Sequence, residues 1–200
     1  MVTRDAHLSK TLSWLLRHSF EKEGLQISSD GYINVNYLLL HNSLKGKYTV
    51  DDIKRVVDAN DKQRFTLRIR NHILEICANQ GHSHKIDNLT LFPILSSEGI
   101  TVIHGTFYRN WTNIKQTGIS RMKRNHIHFA TDLPHNKSVT SGIRPNAEVF
   151  IYINLDLALK KGIQFYKSVN GVILSPGNKE GIIEPKYFLK VCDTNGKSLF

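Results

Sequence analysis

The sequence predicts an α+β protein with two lobes, and the order of its local patterns carries that prediction. Helical periodicities followed by one hairpin pattern occupy the first 80 or so residues, whereas short β-like runs dominate the rest of the chain. The composition, 40% hydrophobic and 22% charged, is that of an ordinary globular protein. We therefore expect an N-terminal lobe over residues 1–85 and a β-rich lobe over residues 86–200.

The first pattern is an amphipathic helix. Apolar residues at helical spacing in "LSKTLSWLLRHSFEKEG" predict a helix from about Leu8 to Glu23, which Gly24 can end. Arg17 and His18 lie beside the apolar stripe near its C-terminal end. Cations at this position can simply offset the helix dipole, so their presence alone does not indicate a site.

The rest of the N-terminal lobe follows from local signals. "LQISSDGYINV" predicts two short extended pieces around a turn at Asp30-Gly31, and "VNYLLLHNSL" predicts a short helix. Thr49 and Asp52 resemble a capping box at the start of a third helix in "TVDDIKRVVDAN". "QRFTLRIR" and "ILEICA" flank the polar pair Asn71-His72 as a β-hairpin. Helices followed by a hairpin resemble a winged helix.

The second lobe contains one helix among short β-like runs. The helix is predicted near "YRNWTNIKQTG". The β-like runs are "TVIHGT", "HIHFA", "EVFIYINL", "QFYKSV", "GVILS" and "YFLKVC".

The net charge of the chain indicates the kind of partner it binds, and its cysteines and apolar runs indicate its cellular compartment. A formal charge of +10 and a pI near 9.6 suggest a polyanionic partner such as nucleic acid. Two isolated cysteines, Cys77 and Cys192, fit neither a disulfide framework nor a zinc site. No apolar run approaches the roughly 20 residues of a membrane helix, and no signal-peptide core is present at the N-terminus. An intracellular protein of the cytoplasm or nucleus is expected.

Five features combine arginine or histidine with hydrogen-bond donors and few carboxylates. They are Arg17 with His18, Arg64 in "NDKQRF", His82 in "ANQGHS", His104 in "HGT", and Arg124 with His126 and His128 in "RMKRNHIHFA". Each could be a solvated charge or an ordinary turn when taken alone. Together they suit a phosphate, whose oxygens match guanidinium groups and other strong donors.

His126 and His128 alternate with apolar residues, which places both imidazoles on one face of a short strand. That spacing is compatible with a metal site, a proton-transfer site or an anion site. The sequence has no HExxH pair, Cys/His cluster, GxSxG elbow, Walker A loop or GxGxxG motif. An anion site is therefore favoured. His104, read as the end of a strand before Gly105, Thr106 and a helix, adds a weak signal for an anion near a helix start.

Seven segments, in chain order, resemble the motifs of the NAD-dependent RNA 2′-phosphotransferases, in particular the fungal members that act in tRNA splicing. The segments are "LSKTLSWLLRH", "DGYINV", "YTVDDIKRVVDANDKQRF", "ICANQGHS", "IHGT", "SRMKRNHIHFA" and "SGIRPNAEVFIYI". They cover about residues 8 to 190. The resemblance implies a winged-helix RNA lobe followed by an ADP-ribosyltransferase-like NAD lobe.

The resemblance also implies a two-step reaction on RNA that carries an internal 2′-phosphate, as at a tRNA splice junction. The phosphate first attacks C1″ of NAD and releases nicotinamide, which gives a 2′-phospho-ADP-ribosylated RNA. The ribose O2″ then attacks the phosphorus, which frees the RNA 2′-OH and ADP-ribose 1″,2″-cyclic phosphate. NAD⁺ is thus consumed as a co-substrate, no metal is expected, and the enzyme is expected to be a monomer.

The family motifs imply roles for individual residues. The catalytic set corresponds to Arg17, His18, Arg64 and Arg124. RNA or phosphate contacts are expected at Lys10, Lys62, Gln80, Gly81, His82 and Ser83. NAD contacts are expected at His104, Gly105, Thr106, Asn125, His126, His128 and Arg144.

Two other functions stay open at the level of sequence. The same NAD lobe could transfer ADP-ribose to a terminal phosphate of RNA or DNA without the second step. Alternatively, the basic chain could be a non-catalytic winged-helix module that binds RNA in a salt-dependent way.

Overall fold

The computed structural model describes residues 3–134 and 141–200. Its helices and strands confirm the α+β class. The chain folds as two compact units, which divide between Thr90 and Leu91. The lobe boundary expected from sequence lies slightly earlier, and the identification of the units with winged-helix and ADP-ribosyltransferase-like folds stays a prediction.

The first unit consists of helices around a small antiparallel sheet. Its elements are α1 (Arg4–Trp14), a π-helical turn (Leu15–Ser19), β1 (Ile33–Asn34), α2 (Val35–Leu38), α3 (Val50–Asp58), β2 (Phe65–Arg70) and β3 (Ile73–Ala78). The strand order is β1-β3-β2. β3 is therefore the central strand, and the chain that leaves it at Ala78 enters the segment with the "NQGHS" motif.

The predicted first helix differs from the observed one at both ends. It begins at Arg4 rather than Leu8, because the Thr3 hydroxyl accepts the N–H of Ala6 and caps the first turn. At the other end, regular α-helix stops at Trp14 and a π-helical turn takes the chain to Ser19. The prediction of one continuous helix was wrong in this respect.

Local signals elsewhere in the unit were confirmed. Thr49 and Asp52 form a reciprocal capping box at the start of α3. Asn71 and His72, at the hairpin tip, have φ values of 51° and 63°. Two consecutive positive φ values characterise the turn whose twist matches that of a two-residue hairpin. Of the two extended pieces predicted around Gly31, only the second contains a strand, namely β1.

An apolar cluster forms the core of this unit. It is formed by the buried faces of the helices and of the sheet, and includes Leu8, Leu12, Leu15, Leu16, Leu38, Ile53, Phe65 and Ile76. Because Leu15 and Leu16 are fully buried, they anchor the π-helical turn in the core. The next two residues, Arg17 and His18, are thereby held at its surface.

The second unit is richer in strands. Its elements are β4 (Leu91–Pro93), β5 (Ile103–Thr106), α4 (Tyr108–Thr117), β6 (Ile119–Ser120), β7 (Ile127–Phe129), β8 (Val149–Ile153), α5 (Leu155–Lys160), β9 (Tyr166–Ser168), β10 (Ile173–Ser175), β11 (Ile182–Ile183), a 3₁₀ turn (Pro185–Tyr187) and β12 (Phe188–Asp193). Within the described residues the strands form sheets of order β4-β9-β10-β7, β12-β8-β5 and β11-β6.

All six predicted β-like runs of this unit contain strands, and the predicted helix is α4. Two details of the prediction were wrong. β5 does not end at His104 but continues through Gly105 and Thr106, which pair with Phe150 and Val149 of β8. The run read as "EVFIYINL" is not strand throughout.

The end of that run begins a helix instead. β8 stops at Ile153, and the Asn154 side chain accepts the N–H of Leu157 to cap α5. Helix α5 was therefore missed, since its first residues continue an apolar pattern.

Phe129 of β7 and Phe165 are among the fully buried residues of the second core. Cys77 and Cys192 are free thiols, as expected from their isolation in the sequence. In the described parts of the chain, the helices are all too short or too polar to traverse a lipid bilayer.

Candidate active site

Arg17 and His18 lie in the π-helical turn that follows α1. Such turns are rare and occur often at functional sites. Here the turn follows the buried pair Leu15 and Leu16, so it presents a cation and an imidazole from a rigid support. Arg17 is partly buried, whereas His18 is exposed.

The segment after β3 holds this turn through main-chain and side-chain hydrogen bonds. Ser83 donates its N–H to the carbonyl oxygen of Arg17 at 3.0 Å. Its hydroxyl lies 3.1 Å from Nδ1 of His18 and 3.3 Å from the Arg17 oxygen. His84 places Nε2 3.0 Å from the His18 oxygen. Because a carbonyl only accepts, this His84 nitrogen is the donor.

The Arg17 side chain packs against the same segment. Gly81 has a φ of 92°, and a Cβ built on it would lie 3.4 Å from Nη1 of Arg17. The guanidinium carbon is 6.0 Å from the ring centre of Phe65. Gln80 and His82, predicted RNA or phosphate contacts, are both buried beside Gly81 in the chain. The structure therefore brings Arg17, His18 and the "QGHS" segment together.

Arg64 occupies the last position before β2, beside a cavity of about 280 Å³. The cavity is lined by Asp5, Ala6, Ser9, Val56, Ala59, Asn60, Asp61, Lys62 and Arg64. Arg64 donates from Nη1 to Oδ1 of Asn60 at 3.3 Å. Lys62, another predicted phosphate contact, thus shares a cavity with the predicted catalytic arginine.

The pKa values of Lys62 and Arg64 shift in the opposite direction to that of Arg55, an arginine paired with carboxylates. Burial lowers the pKa of Arg64, and burial followed by repulsion from Arg64 lowers the pKa of Lys62. Hydrogen bonds to Asp5 and then Asp52 raise the pKa of Arg55 instead. Cations that are partly desolvated and repelled by other cations favour the arrival of an anion.

His104 and His128 meet in the second unit. Nδ1 of His104 lies 3.0 Å from the main-chain oxygen of His128, so Nδ1 carries the proton of this hydrogen bond. Burial lowers the pKa of His104, although the bond to His128 acts in the opposite direction. The His104 ring also contacts Phe129 edge-on, with 5.9 Å between ring centres. The hydrogen bond fixes one tautomer of the ring, and burial favours its neutral form.

His126 immediately precedes β7, so only His128 of the predicted pair lies within the strand. The His126 ring contacts Tyr166 edge-on, with ring centres 6.2 Å apart. Burial, and then the charge of Arg121, lowers the pKa of His126. Two imidazoles of this unit, His104 and His126, thus favour the neutral form.

Arg124 lies in a tight turn before β7. Its N–H donates to the Arg121 oxygen at 3.1 Å, and Nη1 of Arg121 donates to the Arg124 oxygen at 2.7 Å. Met122 has a φ of 55° between them. The Arg124 side chain retains contact with solvent, yet partial desolvation by the surrounding protein, and then the charge of Arg144, lowers its pKa. Arg124 and Arg144 therefore influence one another electrostatically.

Arg144 lines a second cavity, of about 420 Å³, with Phe107, Arg109, Asn146 and Glu148. The guanidinium carbons of Arg109 and Arg144 lie 5.0 and 5.7 Å from the ring centre of Phe107. Both distances fall within the range of cation–π contacts.

Gly105 and Thr106 pack against other residues of this unit. A side chain on Gly105 would overlap Ile143, and Thr106 is buried in the β5 ladder. The sequence indicated that an external anion could bind at the N-terminus of the following helix, α4. The first N–H of this helix does not point to such an anion. That group, on Tyr108, donates to the carboxylate of Glu148 at 2.9 Å.

The remaining predicted residues lie in simpler surroundings. Lys10 is exposed on α1, and Asn125 is partly buried in the turn that contains Arg124. Within the described residues, no group of three or more histidine, cysteine or acidic side chains could hold a metal ion.

Sequence reasoning did not single out Asn79 and Arg121, two residues that hold predicted catalytic arginines. Asn79 donates hydrogen bonds to the main-chain oxygens of Gln63 and Arg64. The Arg121 side chain donates to the main-chain oxygen of Arg124 and so closes its turn. Asn79 is nearly fully buried although it lies in a polar stretch. The burial that distinguishes Asn79 is visible only in the structure.

The sequence model of the family described as RNA 2′-phosphotransferase, Tpt1 / KptA family, matches residues 3–177 of the chain. The chain belongs to the RNA 2′-phosphotransferase family. The resemblance noted in the sequence is thereby confirmed, and the protein is an enzyme of the transferase class.

Relatives among the RNA 2′-phosphotransferases include proteins of animals and fungi. The chain is 43% identical over 191 residues to tRNA 2′-phosphotransferase 1 of Danio rerio, covering 93% of this chain and 84% of that protein. It is 45% identical over 189 residues to tRNA 2′-phosphotransferase 1 of Mus musculus, with 92% and 76% covered. The tRNA 2′-phosphotransferase of Saccharomyces cerevisiae is 43% identical over 181 residues, with 86% and 79% covered.

Proposed function

We propose that this enzyme removes an internal 2′-phosphate from RNA, in particular from spliced tRNA, in a reaction that consumes NAD⁺. The observation that carries the proposal is the charge environment of Lys62, Arg64 and Arg124. Burial lowers the pKa values of all three, and a neighbouring cation, Arg64 for Lys62 and Arg144 for Arg124, lowers two of them further. The pKa of Arg55, which contacts carboxylates, is raised instead. An anionic phosphate would stabilise the charged form of each of these partly desolvated cations.

The reaction that we propose has two steps. NAD supplies the ribose carbon that the 2′-phosphate attacks, with loss of nicotinamide, and later the O2″ hydroxyl that attacks phosphorus. The products are RNA with a 2′-OH, nicotinamide and ADP-ribose 1″,2″-cyclic phosphate. The phosphate is already an anionic nucleophile near neutral pH, so the first step requires alignment and charge screening more than a base.

Arg17, Arg64 and Arg124 are proposed to bind the phosphate. Guanidinium groups pair with phosphate oxygens through two parallel hydrogen bonds and keep their charge at any physiological pH. Their main contribution is expected in the second step, because negative charge concentrates on a five-coordinate phosphorus. Gln80, Gly81 and Ser83, which adjoin Arg17, and Lys62, which adjoins Arg64, are proposed to bind the RNA near that phosphate.

His18 is proposed to contact the phosphate and to protonate the departing RNA oxygen. The Ser83 hydroxyl can donate to the Arg17 oxygen and accept from Nδ1 of His18, given distances of 3.3 and 3.1 Å. Nε2 is then the ring atom that gains and loses the exchangeable proton. A proton donor in this position assists expulsion of an alkoxide-like leaving group.

The residues of the second unit have a chemistry that fits NAD. The nicotinamide ring of NAD⁺ carries a positive charge, so cationic imidazoles beside it would oppose binding. Burial lowers the pKa values of His104 and His126, which favours neutral rings that can hydrogen-bond to sugar hydroxyls. Arg144 is proposed to bind the negatively charged part of NAD, with His128 and Asn125 as further contacts.

The test is an assay with NAD⁺, EDTA and a synthetic RNA that carries one internal 2′-phosphate. We expect removal of the phosphate and formation of the cyclic product. ADP-ribose that stays on a terminal phosphate would instead indicate simple ADP-ribosyl transfer. Absence of any product from a folded preparation, with RNA binding that NAD does not influence, would reduce the protein to an RNA-binding module and overturn the proposal.

A further inference from the structure

Asn79 lies where the β2–β3 ladder ends, in the interior of the first unit. The last strand pair is Phe65 with Ala78. One residue further on, Asn79 donates its main-chain N–H to the carbonyl oxygen of Arg64 at 2.9 Å. The Asn79 residue is only 4% exposed. Its backbone thus extends the sheet by one bond to the residue that we propose binds phosphate.

The Asn79 side chain makes two more bonds to the same strand region. Nδ2 donates to the oxygen of Gln63 at 2.7 Å, and Oδ1 accepts from the Thr66 hydroxyl at 2.6 Å. The amide orientation is unambiguous, because the Gln63 carbonyl can only accept. A single buried side chain therefore joins positions on both sides of Arg64.

The backbone that precedes Arg64 has an unusual conformation. Gln63 has a φ of 42°, in the left-handed region that non-glycine residues rarely adopt. Its N–H donates to the Asn60 oxygen at 2.7 Å, and its own oxygen is held by Asn79. Beyond this turn, Oδ1 of Asn60 accepts from the Arg64 guanidinium. Arg64 is thus held at the main chain by Asn79 and at the side chain by Asn60.

We propose that Asn79 is a positioning residue for Arg64, and that it sets where this guanidinium meets the RNA phosphate. The inference rests on the proposed function. Both polar atoms of the nearly fully buried Asn79 amide are already bonded to protein, so this side chain has a structural partner at each end. Its effect on the reaction passes through the Arg64 backbone.

A double-mutant cycle between Asn79→Ala and Arg64→Lys tests this role. Because displacement of a catalytic group by about 1 Å can cost roughly 100-fold, we expect Asn79→Ala to lower kcat by about 10- to 100-fold in the natural enzyme. In the Arg64→Lys background, whose guanidinium is already lost, the same change should lower kcat less than about threefold. KM for NAD should change little in either background.

Two further variants separate positioning from general destabilisation. Thr66→Val removes only the hydroxyl that Asn79 accepts, so it should fold and cause a smaller loss in the same direction. Asn170→Ala is the matched control, since Asn170 is also buried and accepts from a hydroxyl, that of Ser168, at 2.8 Å. It should lower thermal stability as Asn79→Ala does, but show no coupling to Arg64→Lys.

The same double-mutant cycle can be measured on the Kd for 2′-phosphorylated RNA in the absence of NAD. This version tests the positioning role without relying on turnover. Equal losses from Asn79→Ala in both backgrounds, in turnover and in binding, would overturn the positioning role. Lack of turnover by the natural enzyme, with the binding cycle still coupled, would count against the proposed reaction but not against the positioning role.

Discussion

Gly81 lies against the guanidinium of Arg17, so closely that a Cβ on the glycine would be 3.4 Å from Nη1 and 3.6 Å from Cζ. The glycine also has a φ of 92°, which an L-residue adopts only with strain. A backbone conformation that favours glycine thus occurs in direct contact with a proposed catalytic residue.

Replacement of Gly81 by alanine is expected to displace Arg17 and reduce turnover. The backbone strain should lower the free energy of unfolding by about 1 kcal/mol. We expect a loss of turnover on the order of tenfold in addition, since relief of the strained φ would move the segment that contacts the Arg17 guanidinium. Gly24→Ala is the control, because Gly24 has a φ of 68° but no neighbour within 4 Å. It should show the stability loss alone; equal turnover in both variants would contradict the prediction.

Arg64→Ala and Arg124→Ala are expected to slow the second step more than the first. Removal of one group that stabilises transition-state charge typically costs about 100- to 1,000-fold, and that charge peaks at the five-coordinate phosphorus. ADP-ribosylated RNA should therefore accumulate, which gel analysis with labelled RNA would detect. Arg55→Ala, which loses its contacts to Asp5 and Asp52, should not change the ratio of intermediate to product. Absence of the intermediate in both active-site variants would contradict this assignment.

His104 should make stability depend on pH below about 6.5, the ordinary pKa of the unfolded side chain. Its pKa in the folded protein is lowered, chiefly by burial, so the unfolded chain binds more protons in this range. Stability is then complete above pH 6.5 and declines as the pH falls. Urea unfolding at pH 7.5 and 5.5 should show a smaller pH effect for His104→Gln than for the natural protein. An unchanged difference between the two pH values would exclude a neutral His104 as the source of the pH dependence.

Asp52 should contribute to acid sensitivity at a lower pH. A hydrogen bond from Arg55, then one from the Thr49 backbone, lowers its pKa to about 2. Stability from this carboxylate is present above its ordinary pKa of 3.8 and is lost as the pH falls through about 2. Asp52→Ala should therefore be less stable at pH 7 and lose less on acidification between pH 4 and 2. A parallel decline in both proteins would place the acid-sensitive group elsewhere.

The elements that sequence predicted well are those with local signals. The capping box of α3 and the Asn71-His72 turn each depend on residues within a few positions of one another. α5 was missed because its cap, Asn154, is embedded in an apolar run that reads as strand. Here the change from strand to helix is marked by one side chain rather than by a change in composition.

The supports of the candidate site were harder to predict, because they depend on contacts between distant segments. Ser83 and Arg17 are far apart in sequence, yet their hydrogen bond holds the π-helical turn to the segment after β3. Asn79 looks like any polar loop residue until its burial is known. The catalytic residue types followed from chemistry and resemblance, whereas their positioning depends on the three-dimensional fold.

The π-helical turn from Leu15 to Ser19 also sets the angular phase of the chain that follows it. Each residue of a regular α-helix advances about 100° around the axis, so one additional residue in a wide turn rotates everything beyond it by about that angle. Leu15 and Leu16, at the start of the turn, face the core, while the Arg17 carbonyl and the His18 ring contact Ser83. A deletion of one residue here would alter which way the cation and imidazole point, even where the number of helical turns is nearly unchanged.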